Sequence, residues 1–152
     1  MVPTGVHTEP NVRPGHKYSR PVLVRWLYLP ACFYFVFVVY GSLVPLNFTP
    51  LPFAEAIERF RQIRFLNLGI GSRADWVANG LLMIPLAFLV CGSFWGNTRG
   101  ARLGATFVAL IFCVSLGIAI EFIQIFFPPR TVSQNDVFAQ TIGSVIGIVL
   151  WW

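Results

Sequence analysis

The chain has 152 residues, of which 56% are hydrophobic and only 11% are charged. Because a soluble domain carries about 25% charged residues, this composition excludes an ordinary soluble fold and indicates one integral membrane domain. The net charge of +5 comes from scattered basic residues with no basic run, which excludes a nucleic-acid partner and suits membrane orientation. We expect no cofactor and no metal site, since His7 and His16 lie too far apart for a metal motif.

Residues 1–21 are polar and rich in proline and glycine, a composition typical of disorder. We therefore predict a disordered cytoplasmic tail over residues 1–21 and a transmembrane domain over residues 22–152. Basic residues are almost evenly divided between the two sides of the membrane. Their density just before the first apolar run favours a cytoplasmic N-terminus under the positive-inside rule.

The first apolar run covers residues 26–46, about the 20 residues that a membrane helix needs. Residues 53–65 show a different pattern, in which apolar positions recur at spacings of three and four: Phe53, Ile57, Phe60 and Ile63. Glu55 and Arg59 form an i,i+4 pair on the polar face. This pattern predicts a short amphipathic helix at the membrane interface between spans one and two, followed by a flexible connector at Asn67, Gly69, Gly71 and Ser72.

Three more apolar runs complete an all-α bundle of four transmembrane helices. Ser72 and Asp75 give a helix-start signal before the second run, residues 76–95. A turn over residues 96–102 precedes the third run, residues 103–127. The fourth run opens at Ser133 with the same serine-to-acid spacing, ending in Asp136, and stops at residue 152. We expect that run to be either a short helix with an aromatic anchor or a longer segment cut at its end.

Polar side chains mark one side of this bundle. The start of span two, the end of span three and the start of span four lie on the same side of the membrane, which the favoured orientation makes the outside. The candidate binding residues there are Arg73, Asp75, Asn79, Glu121, Gln124, Arg130, Asp136 and Gln140. Glu121 lies inside an apolar segment, where an ionisable residue is costly and indicates a function or a buried partner. An ion pair with Arg130 and a ligand site both remain open.

Each of these residues also has a purely structural interpretation. Asp75 and Asp136 suit the positive end of a helix dipole, and for either residue alone this role is the simpler one. The amides of Asn79, Gln124 and Gln140 are typical of hydrogen bonds between membrane helices. The sequence does not decide between these roles and a binding site.

The motifs together resemble the VanZ family, small bacterial membrane proteins named after a teicoplanin-resistance determinant. The resemblance rests on Asp75 through Asn79 with Pro85, on Glu121 and Gln124, and on Arg130, Asp136 and Thr141–Gly143. Gln140 departs from the pattern, since the family usually has asparagine before the threonine. The resemblance implies a multi-pass protein of the bacterial cytoplasmic membrane and a link to glycopeptide tolerance, without supplying a mechanism.

Three functions are consistent with these residues. The favoured one is a non-enzymatic envelope protein whose outward-facing polar pocket binds a lipid headgroup, a cell-wall precursor or a partner membrane protein. A membrane enzyme acting on a lipid-linked substrate is the alternative, with Glu121 as general acid or base and with Asp75 and Asp136 holding a divalent cation. A purely structural helix bundle is the third.

Overall fold

The structure, a computed structural model, describes residues 26–65 and 70–152. The predicted tail over residues 1–21, with Asn67 and Gly69 of the predicted connector, lies outside these ranges. The described residues form five helices and no strand: α1 Tyr28–Leu43, α2 Phe53–Arg61, α3 Ile70–Ser93, α4 Arg99–Gln124 and α5 Gln134–Trp151.

Helix α1 has 16 residues and is shorter than the apolar run that predicts it. It ends because Val44 precedes Pro45, and a residue before proline is pushed out of the helical region. Val44 has an extended backbone with φ −60° and ψ 133°. The chain then leaves the helix direction through Leu46, which has a left-handed φ of 63°.

Helix α2 is the predicted amphipathic helix, and it ends at Arg61, four residues before the end of the predicted stretch. Its i,i+4 pair is present, with 2.7 Å between the Arg59 guanidinium and the Glu55 carboxylate. The apolar face of α2 packs on α4 through Phe122, whose ring lies 5.9 Å from Phe53 and 5.4 Å from Phe60. Helix α2 therefore lies against the C-terminal end of α4.

Helices α3 and α4 both begin earlier than the sequence predicts. The backbone is helical from Ile70, so the predictions of a connector at Gly71 and of a cap at Ser72 are wrong. First-turn N–H groups have no partner within a helix, so Gly71 and Ser72 lose no hydrogen bond there. Helix α4 begins at Arg99 inside the predicted turn, because the Thr98 hydroxyl caps it by accepting the Ala101 N–H at 3.1 Å.

Helix α5 begins where its sequence signal predicts. The Ser133 hydroxyl accepts the Asp136 N–H at 3.2 Å and donates to the Asp136 carboxylate at 2.7 Å. Ser133 is the N-cap and Asp136 the third helical residue, where a negative charge complements the helix dipole. Ser72 lies inside α3, which begins at Ile70, so the shared serine-to-acid spacing does not mark the same helix position in α3 and α5.

The core is a seam between α3 and α5 in which backbones touch. A Cβ on Gly143 would collide with the Gly80 carbonyl, and one on Gly147 with the Ile84 carbonyl. Small residues allow this close approach, the usual way in which helices pack in a membrane. Helices α1 and α4 pack around the seam with a buried apolar cluster that includes Val38, Met83, Leu86, Cys113 and Ile148.

The outer surface of the helices is largely apolar. Large exposed side chains include Phe33 and Phe37 on α1, Phe107 and Ile111 on α4, and Val149 on α5. Two helical stretches in the described residues are long and apolar enough to cross a membrane: Arg73–Ser93 and Arg99–Gln124. Helix α1 is short, and α5 opens with three polar residues. The two long helices account for half of the predicted four spans, and the four-span bundle stays a prediction.

Candidate functional site: a polar cavity where four helix ends meet

The ends of α1 and α4 and the starts of α3 and α5 meet at one end of the bundle and enclose a polar cavity of about 240 Å³. Its walls are formed by Gly41, Ser42, Asp75, Ala78, Asn79, Leu82, Gln124, Arg130, Thr131 and Asp136. The order of the apolar runs, which puts these helix ends on one side of the membrane, predicts this meeting of polar groups. Every helix except α2 contributes to the cavity.

Two side chains attach the end of α1 to this site. The last four carbonyls of a helix lack partners within it. The Ser42 carbonyl oxygen accepts the Gln124 amide at 2.8 Å, and the Gly41 carbonyl oxygen accepts the Arg130 guanidinium at 3.0 Å. A cation at a helix C-terminus is also favoured by the helix dipole. Gln124 and Arg130 therefore cap α1 and form cavity wall at the same time.

Glu121 lies behind the cavity and is 0% exposed. One carboxyl oxygen accepts the Ser133 backbone N–H at 3.1 Å, and the other accepts the Gln140 amide at 3.3 Å. In a capping box, the N-cap N–H is bound by an acid three residues along its own helix. Here Glu121 of α4 takes that place for α5, so it joins the two helices.

The ion pair considered between Glu121 and Arg130 does not form. The guanidinium of Arg130 is directed to the α1 carbonyl, and no ion pair joins it to Glu121 in the part of the chain that the structure describes. Glu121 is thus stabilised by hydrogen bonds from neutral groups, which is how buried polar groups are usually satisfied.

Gln140 is buried beside Glu121, and one of its two polar atoms has no partner. Its amide nitrogen donates to Glu121, while its carbonyl oxygen has no hydrogen bond. That oxygen faces Gly117, where an added Cβ would collide with it. The glycine at position 117 makes room for the Gln140 side chain, which would otherwise be displaced from Glu121.

Charges of both signs line the cavity. The Asp136 carboxylate is held by the Ser133 hydroxyl. No partner for the Asp75 carboxylate or the Asn79 amide is found in the part of the chain that the structure describes. Arg130 is the cation among the residues that line the cavity. The cavity therefore presents N–H donors suited to an anionic group and carboxylate acceptors suited to a cationic one.

The structure brings five of the eight candidate residues to the cavity wall: Asp75, Asn79, Gln124, Arg130 and Asp136. Glu121 and Gln140 form the hydrogen-bonded pair behind it, and the exposed Arg73 is not among the residues of the wall. No group of three or more His, Cys, Asp or Glu side chains suited to a metal ion occurs within residues 26–65 and 70–152.

Two polar residues of the cavity wall were not among the predicted site residues: Ser42 and Thr131. Ser42 is a polar residue near the end of the first apolar run, on the side of the membrane already assigned to the site. The same topological reasoning could have included it. Thr131 follows the two prolines after α4 and adjoins Arg130, but no pattern distinguishes it from an ordinary loop residue.

Comparison with known proteins gives a family. The chain has no significant match among curated proteins or among solved structures. The sequence model of the VanZ/LLP1 family matches residues 24–152, which include every helix described above and the whole cavity. The chain belongs to the VanZ/LLP1 family.

Proposed function

We propose that this VanZ/LLP1 protein is a multi-pass protein of the bacterial cytoplasmic membrane that binds an envelope ligand without converting it. The ligand is a lipid headgroup or a lipid-linked cell-wall precursor, and binding alters susceptibility to teicoplanin. The observation that carries the proposal is the polar cavity, in which Asp75, Asn79 and Arg130 from separate elements converge.

Four spans are consistent with the helix lengths. At about 1.5 Å per residue, α1 is about 24 Å long and α5 about 27 Å long, against a hydrocarbon core of about 30 Å. Their exposed apolar side chains, such as Phe33 and Val149, suit contact with lipid. With a cytoplasmic N-terminus, the cavity opens on the outer side, where cell-wall precursors and glycopeptides meet.

The position of Glu121 favours binding over catalysis. A general acid or base must come within hydrogen-bond reach of its substrate, whereas Glu121 is fully buried and both of its oxygens accept bonds from the protein. The hydroxyls on the cavity wall, those of Ser42 and Thr131, have no hydrogen bond to a base within the described residues. The arrangement supports holding a ligand more directly than activating a nucleophile.

The test is teicoplanin susceptibility of a Gram-positive host that expresses the protein. We expect the wild type to change the inhibitory concentration and Asn79→Leu to abolish the change, because leucine fills the cavity and removes an amide that has no hydrogen bond among the described residues. Arg130→Gln should act in the same direction. Its effect includes a weaker attachment of α1, since Arg130 also caps that helix.

Arg99→Gln is the matched control, because Arg99 is an exposed cation at the start of α4, at the other end of the helix from the cavity. All variants are compared at equal abundance in the membrane. A wild type without effect on susceptibility refutes the link to glycopeptides. Full activity of Asn79→Leu refutes the cavity as the binding site.

A further inference from the structure

Opposite charges face the same cavity without pairing with each other. Among the described residues, Arg130 makes no ion pair with either Asp75 or Asp136. A guanidinium has five N–H donors, and the recorded bond from Arg130 goes to the Gly41 carbonyl. N–H donors of Arg130 and carboxylate oxygens of Asp75 and Asp136 therefore both remain for a ligand in the cavity.

The signs of these charges limit the ligand. The side chains of Asp75, Asp136 and Arg130 together carry a net charge of −1 at neutral pH. A simple anion would satisfy the arginine but would be repelled by the two carboxylates, because like charges repel at short range. A divalent cation would satisfy the carboxylates but would face the arginine. A group with separate negative and positive ends avoids both kinds of repulsion, because each end can lie beside a charge of the opposite sign.

The remaining walls and the volume limit the ligand further. Drug-sized ligands occupy pockets of roughly 300–1,000 Å³, and this cavity of about 240 Å³ is smaller. The Asn79 amide supplies a donor and an acceptor between the charged walls, and Leu82 supplies apolar surface. A short polar group with a small hydrocarbon linker fits this combination.

We propose that the cavity takes a zwitterionic group of the phosphoethanolamine type, with its phosphate at Arg130 and its primary ammonium at Asp75 and Asp136. The proposal rests on the proposed function and names the chemistry of the ligand. Arginine binds phosphate oxygens through charge-assisted hydrogen bonds. The ammonium has three N–H donors, which the two carboxylates accept. A choline group has no N–H donor and would lose these bonds.

The test measures lipid binding to the full-length protein in detergent by native mass spectrometry. Phosphatidylethanolamine, phosphatidylglycerol and phosphatidylcholine with identical acyl chains are the probes. We expect phosphatidylethanolamine to bind about tenfold or more tightly than the other two, the difference expected from charge-assisted hydrogen bonds. Asp75→Asn should remove most of this preference, whereas Glu58→Gln, at an exposed carboxylate of α2, should leave it unchanged.

The source of the group is tested by competition with soluble phosphoethanolamine. Displacement of the lipid by this compound means that the free group suffices for binding, and no displacement means that a lipid carries it. Both results keep the same chemistry provided that the preference for the primary amine and its loss in Asp75→Asn are observed.

Other outcomes separate the two proposals. If phosphatidylglycerol or phosphatidylcholine binds as tightly as phosphatidylethanolamine and Asn79→Leu removes that binding, the cavity binds headgroups but the zwitterionic proposal is wrong. Stoichiometric Mg²⁺ that displaces phosphatidylethanolamine likewise overturns it. If Asn79→Leu changes the binding of no probe, both the zwitterionic proposal and lipid binding by the cavity are wrong.

Discussion

Replacing Glu121 by leucine should destabilise the fold far more than replacing it by glutamine. Leucine removes the acceptor of two buried donors, the Ser133 backbone N–H and the Gln140 amide. A buried donor without a partner costs about 1–3 kcal/mol, so the two together cost about 2–6 kcal/mol. The melting temperature falls by about 2–4 °C for each kcal/mol, so a cost of about 4 kcal/mol, the middle of the range for the two donors, lowers it by about 10 °C.

Glutamine at position 121 keeps both bonds through a local rearrangement. Its carbonyl oxygen can accept the Ser133 N–H, while its amide meets Gln140. In the native protein the Gln140 carbonyl oxygen has no partner, so rotation of that side-chain amide lets it accept a bond from residue 121. We expect Glu121→Gln to melt within about 3 °C of the wild type, a difference of about 1 kcal/mol.

The buried cysteines Cys91 and Cys113 provide the assay. A fluorogenic thiol reagent reports their exposure as the detergent-purified protein is heated, with exposed Cys32 replaced by serine in every variant. Gln140→Leu is the control, because it removes the Gln140 amide that donates to Glu121 together with the Gln140 carbonyl oxygen that has no partner. Wild-type melting of Glu121→Leu would refute the role of Glu121 as the link between α4 and α5.

The helix ends and the glycine seam lead to three more expected outcomes. Ser133→Ala should cost about 1 kcal/mol in the same melt, through loss of the α5 cap. Gly143→Leu should prevent folding, whereas Gly100→Leu, with open space around its Cβ, should fold normally by size-exclusion chromatography. In a cysteine-free background, an impermeant thiol reagent added outside the cell should label Thr131→Cys but not Thr98→Cys. The reverse labelling would place the cavity on the cytoplasmic side.

The sequence was sufficient to place the polar side chains near one another. Helix spacing and the order of apolar runs put Asp75, Asn79, Gln124 and Asp136 at one end of the bundle, where they line the cavity. The serine-to-acid signal predicted the start of α5 correctly because both of its groups lie in one helix turn. Local signals were reliable where donor and acceptor are close in sequence.

The partners of the buried groups could not be predicted in the same way. Glu121 binds a backbone N–H twelve residues away, and Gln124 and Arg130 bind carbonyls of α1 more than eighty residues away. Backbone donors and acceptors exist at almost every position, so no residue type marks these as partners. For this reason the sequence left an ion pair and a ligand site both open for Glu121 and gave no sign of the attachment of α1.

The glycine seam has a mechanical consequence. Helices α3 and α5 touch through their backbones at Gly143 and Gly147, so neither can slide along the other without a steric clash. The end of α1, in contrast, is attached to the cavity by two side-chain hydrogen bonds. The wall formed by α3 and α5 is therefore held by backbone contacts and the end of α1 by side chains, so we expect the α1 wall to be the more easily displaced.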